Sequence, residues 1–239
     1  MSAFRAGIVL AAVAISAGCA APRAPVGGSD KALLDAARGP DENRRLHTDL
    51  IQEMIEQDRL YAGLAHLEAQ EKEFGSSREL RLLRAEILRK LGRTAEAETL
   101  YEGLLNTEYA GRAQHGLGLI YAPRNLELGT RYLRRAVESR PTDARIRNDL
   151  GYALMRQGEL EEARLHLATA FQLDNGAELS RNNYILLLLL EGREAEARRV
   201  ATKAAVPETL MADLREQART LEERAASRAS SPLVGGGGG

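Results

Sequence analysis

A chain of 239 residues with 33 Lys or Arg against 34 Asp or Glu carries a formal net charge of -1, which leaves no basic footprint for nucleic acid. Its single cysteine excludes an internal disulfide and a cysteine-built metal site. Aromatics at 4%, no Trp, and abundant Ala, Leu, Glu and Arg give the profile of an all-α protein.

Residues 1–18 read as an export signal. Arg5 and the terminal amine form a short positive region. The apolar run from Ala6 to Ala17 is about 12 residues long, short of the roughly 20 that a membrane-spanning helix needs. Ser16, Ala17 and Gly18 are small, and Cys19 follows directly. The stretch resembles the lipobox of bacterial lipoproteins, with Ser16 where that family prefers Leu. The resemblance implies that Cys19 is acylated and becomes the mature N-terminus. Ala20 stands where an Asp would mark retention in the inner membrane, which implies the periplasmic face of an outer membrane. Residues 19–43, rich in Ala, Pro and Gly, then read as a lipidated cysteine on a flexible tether. At the other end, residues 229–239 ("ASSPLVGGGGG") have nothing to bury and are expected to be disordered.

Between these ends the sequence repeats itself about every 34 residues. Segment 144–177 aligned on 178–211 without a gap sets Arg147 on Arg181, Asn148 on Asn182, Leu154 on Leu188, Gly158 on Gly192 and Ala163 on Ala197. Segment 111–143 fits the frame through Leu117, Gly118, Tyr121, Leu133, Ala136 and Pro141, and segment 78–110 through Ala85, Leu88, Gly92, Ala97, Tyr101 and Leu104. A weaker copy, 44–77, has Leu50, Met54, Gly63 and Leu67. Within a unit, Leu150 and Leu154 lie on one face of a first helix, and Ala163 and Leu167 on one face of a second. Gly151 or Ala163 lets the two helices approach, and Gly158 supplies a permissive turn.

The pattern resembles the tetratricopeptide repeat. It departs in lacking Trp, in having only Pro141 well placed as the closing proline, and in having Arg84 where Leu is expected. In the third unit "YAPRN" replaces the turn glycine, so Pro123 should end that unit's first helix early. The resemblance implies an all-α solenoid over 44–206, with helix pairs at 44–77, 78–110, 111–143, 144–177 and 178–206. Segment 207–228 follows Pro207, with Leu210, Leu214, Ala218 and Leu221 at helical spacing, and reads as a capping helix. The run Tyr184–Leu190 ("YILLLLL") spans only about 10 Å as helix. It reads either as a helix buried on several sides or as one that partly lines a groove.

No constellation for catalysis stands out. His47, His66, His115 and His166 are scattered, Glu161 and Glu162 read as solvated helix surface, and no phosphate loop, metal-ligand spacing or nucleophile motif occurs. No enzyme activity, cofactor, metal or small-molecule substrate is expected. The tetratricopeptide resemblance implies instead a groove lined by the first helices. Its residues would be Arg145, Asn148, Tyr152, Met155 and Arg156 in the fourth unit, Leu179, Asn182, Leu186, Leu189 and Leu190 in the fifth, and Glu79, Leu82, Glu86, Arg89 and Lys90 in the second. Asn148 and Asn182 would stack into an amide ladder able to grip a peptide backbone, or else be merely solvated. Tyr152, Met155, Leu186 and Leu189 would form an apolar slot for an amphipathic segment, or else the leucines pack on neighbouring helices.

A lipid-tethered periplasmic solenoid of this size is similar to the tight-adherence (Flp pilus) assembly lipoproteins of the TadD type and, in layout, to the pilotins of type IVa pili. That resemblance implies a non-catalytic adaptor at the outer membrane, partnered with a secretin or another pilus-assembly protein. Two other roles for the same layout are a scaffold for outer-membrane protein assembly and an activator of a cell-wall enzyme.

Overall fold

A computed structural model describes residues 39–230, and every regular element among them is an α-helix. The expected leader, Cys19, the tether as far as residue 38 and the tail from 231 lie outside the described residues. The protein divides after Asn43, and the helical stack is built from Arg44 onward.

Ten helices pair in sequence order: α1 (Pro40–Glu56) with α2 (Leu60–Phe74), α3 (Arg78–Lys90) with α4 (Thr94–Glu102), α5 (Ala110–Tyr121) with α6 (Leu126–Ser139), α7 (Ala144–Gln157) with α8 (Leu160–Leu173), and α9 (Glu178–Leu190) with α10 (Glu194–Lys203). A longer helix, α11 (Glu208–Ser230), follows. This is the all-α solenoid that the repeat implies. No described helix is long and apolar enough to cross a membrane.

The turns within pairs follow from one backbone device. At Gly158 the backbone enters the left-handed region (φ 85°), its N–H bonds Met155 O at 3.1 Å and the next N–H bonds Leu154 O at 3.0 Å. Two orphan carbonyls at the helix end are thereby satisfied. Gly92 and Gly192 repeat the pattern, and Asp58 (φ 58°) serves the first pair. The third pair differs, as Pro123 requires: α5 stops at Tyr121, and Asn125 caps α6 by accepting from Leu128 N at 3.0 Å.

Each helix pair leaves an apolar face that only its neighbour can cover. Helix α3 shows the result: Leu83 and Ile87 join Ile51 and Leu67 behind it, while Leu82, Ala85 and Leu88 join Tyr101 and Leu117 ahead. Burying each such leucine contributes roughly 1.5–3 kcal/mol. Arg84, the residue out of pattern, points to the side and pairs with Glu71. In the weak first unit, Leu50 is exposed and its neighbour Ile51 takes the core. In α9, Ile185, Leu186, Leu187 and Leu188 are all fully buried, so the apolar run is a helix covered on several sides.

The last helix takes a seat of its own. In every earlier step the incoming first helix packs chiefly on the preceding second helix; α11 instead packs chiefly on α9 and reaches α7, both first helices. It closes the apolar faces of α7 and α9 and adds no further pair to the stack. Ala205 (φ 51°) and Pro207 turn the backbone between α10 and α11, with Val206 N bonding Ala201 O at 2.9 Å. Helix α11 then lays Met211, Leu214, Ala218 and Leu221 into the core shared by α7 and α9.

Candidate protein-binding groove

The first helices α1, α3, α5, α7 and α9 line one cleft of about 1070 Å3. Its walls are mixed, with Ile55, Leu119 and Leu179 among charged and polar side chains. Gln52 and Glu56 come from α1, Glu86, Arg89 and Lys90 from α3, Arg112, His115 and Leu119 from α5, and Arg145 from α7. Polar links tie these helices together across the cleft floor. Arg112 Nη2 donates to Glu86 Oε1 at 2.9 Å, His115 Nε2 meets Asp149 Oδ2 at 2.7 Å, and Asn183 Nδ2 donates to Asn148 Oδ1 at 2.9 Å. Lys90 Nζ pairs with Asp58 at 2.7 Å, at the turn of the first pair.

The expected groove residues divide. Arg145 is exposed and lines the cleft. Asn148 is only 3% exposed, and its oxygen is taken by Asn183, so the amide ladder joins Asn148 to Asn183 and not to Asn182. Asn182 turns aside, its Oδ1 accepting from Arg181 Nε at 3.1 Å. Equivalent positions in two repeats are not the positions that touch. His115 and Asn148 both occupy the fifth place of their units, and each meets the sixth place of the next, Asp149 and Asn183. Arg156 is a strut, with Nη1 donating to Ala122 O at 3.3 Å just past the end of α5.

The apolar slot exists but is filled. Met155 and Leu186 are buried, Leu189 is half-buried against the same core, and α11 contributes to that core from above. Tyr152 is half-buried beside α11, where Gln217 Nε2 donates to its hydroxyl at 3.4 Å. These four residues therefore hold the protein's own helix and are not an open docking site. Their apolar character was visible in the sequence; the helix that consumes it was not.

Among the described residues no three His, Cys, Asp or Glu residues cluster as metal ligands. His166, 8% exposed in α8, lies between Arg147 (3.2 Å to Nδ1) and Glu162 (3.7 Å). Burial first, then Arg147, hold its imidazole below the ordinary histidine range, with Glu162 opposing. It is part of the packing between α7 and α8 and does not face the cleft.

No protein-family model matches the chain. The sequence is 37% identical over 213 residues to the TPR repeat-containing protein PA4299 of Pseudomonas aeruginosa, covering 85% of this chain and 82% of that protein. The chain belongs to the tetratricopeptide-repeat (TPR) proteins. Solved structures agree on the fold. The Pseudomonas aeruginosa pilF structure gives a TM-score of 0.59 at 17% identity, over 80% of this chain and 90% of that one. TTC0263, a TPR protein of Thermus thermophilus, gives 0.55 at 23% identity, over 74% and 98%. The TPR architecture is that of a protein-binding scaffold.

Proposed function

We propose that the protein is a non-catalytic adaptor, held through lipid on Cys19 at the periplasmic face of an outer membrane. It takes a segment of a partner protein into the open cleft between α1 and α7. The partner is a secretin or another assembly protein of a tight-adherence (Flp) pilus. The observation that carries the binding reading is the open cleft of charged and apolar side chains along α1, α3, α5, α7 and the start of α9, left uncovered where α11 covers the rest of the same face. The resemblance of the Cys19 stretch to a lipobox, and of the whole layout to TadD-type lipoproteins, supports the anchor and the pilus role.

A photo-crosslinking residue placed at Leu119 or Arg145 in whole cells tests this directly. Secretin subunits or pilus-assembly proteins are the expected capture. Capture of outer-membrane protein assembly factors, or of peptidoglycan enzymes with a cell-shape defect on deletion, moves the adaptor to one of those systems. A Cys19→Ser form that still supports pilus assembly rules out the lipid anchor as a requirement.

A further inference from the structure

Within the stack, three places on each first helix receive the pair before it. The third place holds Leu80, Ala113, Ile146 and Ser180, none more than 3% exposed. The tenth holds Ile87, Ile120, Ala153 and Leu187, all buried. The seventh shows the contact directly. Arg84 of α3 pairs with Glu71 of α2, and the Tyr184 ring of α9 stacks on Phe171 of α8 at 5.3 Å. In α1 the same three places are Leu46, Leu50 and Glu53, and all are exposed, Leu46 by 48% and Leu50 by 36%. Among the described residues no helix precedes α1 to cover them.

The other end is open in the complementary sense. A next first helix would lie on α10, but α11 leaves that seat and packs on α9 and α7. A hollow of about 290 Å3 remains there, with Ala201, Val206 and Met211 at its floor and the exposed Arg198, Thr202 and Glu208 at its rim. Arg198 Nε donates to Glu194 at 3.1 Å, yet its side chain stays 67% exposed, and Arg199 and Lys203 on the same helix are exposed too. Glu208, the acid on that rim, is held by Arg215 at 2.8 Å. One end therefore offers two uncovered leucines beside the exposed acids Asp49 and Glu53, and the other an apolar hollow beside exposed bases.

We propose that the protein self-associates head to tail, α1 of one copy taking the seat on α10 of the next where a sixth first helix would lie. Leu46 and Leu50 enter the hollow over Ala201 and Val206, and Glu53 comes to Arg198. The charges select this arrangement over a head-to-head one, which would set Asp49 and Glu53 of both copies against each other. The contact joins two different surfaces, so each added copy presents a fresh α1 or a fresh α10 and the association continues past the dimer. The proposal goes beyond the adaptor reading and stands without it.

In the test, a photo-crosslinking residue replaces Leu46 in the full-length protein, which is mixed with probe-free protein labelled with heavy nitrogen. Mass spectrometry is expected to find the probe on α10 of the labelled copy, within residues 198–206. Leu50→Asp, at an exposed position that should leave the thermal midpoint in place, is expected to cut the yield about tenfold. Glu53→Arg or Arg198→Glu alone should cut it about threefold, the size of one exposed ion pair, and the two together should restore it. Sedimentation of the unsubstituted protein should give a mass that climbs with concentration and does not level off at the dimer. A probe found on α1 of the other copy means head-to-head pairing and overturns the proposal. A probe found only on residues 31–38 of its own chain, no crosslink at all, or a mass fixed at the monomer overturns it equally. Probes at Leu119 and Arg145 read the cleft separately, so failure of either reading is seen without the other.

Discussion

The face built from the first helices changes character between α5 and α7. Toward the N-terminus the places that look into the cleft hold Glu86, Arg89 and Leu119, water reaches them, and no described helix lies over them. Toward the C-terminus the equivalent places hold Tyr152, Met155, Leu186 and Leu189, and α11 lies over them. The two halves share the helix-pair plan and differ in the side chains their first helices present to this face. A polar lining can remain in contact with water at little cost, whereas a contiguous apolar lining this large is rarely left bare. Apolarity at groove positions therefore marked the place where the protein binds itself, and polarity marked the place left for a partner.

Substitutions in α11 give the widest contrast between the halves. Leu214→Ala removes a buried side chain from the covered half and should cost about 2–5 kcal/mol. Leu119→Ala in the open half should cost about 0.5 kcal/mol or less. Urea midpoints measured side by side decide this, and equal costs would mean that α11 is loosely seated. Gly116→Ala, under the open cleft, drives a methyl group into the Tyr101 ring and should lower stability by about 3 kcal/mol, read as a fall in thermal midpoint. Asn148→Ala leaves Asn183 without its acceptor at the border between the halves, with an expected loss of about 1–2 kcal/mol. Asn182→Ala should change stability by no more than about 0.5 kcal/mol. A double-mutant cycle of Asn148 with Asn183 should show coupling, and one with Asn182 none.

The smallest effect is electrostatic. His166 has its folded pKa held below the ordinary value of 6.5, so the unfolded state takes up the proton first. The covered half should be at full stability above that ordinary value. It should lose some as the pH falls through it, levelling off below the folded value. Chemical denaturation from about pH 7.5 to pH 5 follows this, and His166→Gln should flatten the slope.

Much of the stack could be read from residues alone. Gly92, Gly158 and Gly192 mark turns because only a left-handed residue closes those helix ends at low cost, and Pro123 shortens α5 because it cannot continue a helix. The repeat frame was equally legible, but Leu82, expected to line the groove, is instead fully buried with Tyr101 and Leu117. What failed was contact across repeats. Alignment sets Asn148 on Asn182 because they are equivalent, but stacked helices are rotated, and the residue that arrives is one place further on. The seat of α11 was hidden for a related reason: Leu214, Ala218 and Leu221 reveal that the helix has an apolar side without saying which of two apolar surfaces receives it. Tyr101 stands out in the sequence as the one hydroxyl at a place otherwise held by Leu or Ala, but that Gly116 makes room for its ring is a matter of three dimensions.

Helix α10 keeps only Ala197 and Ala201 fully inward and turns Arg198, Arg199 and Lys203 to solvent. Helix α10 is nevertheless tied to the segment that follows, Glu194 Oε1 accepting from Arg215 Nε of α11 at 3.1 Å. By closing over α7 and α9, α11 itself sets how much of the inner face stays vacant for a visitor.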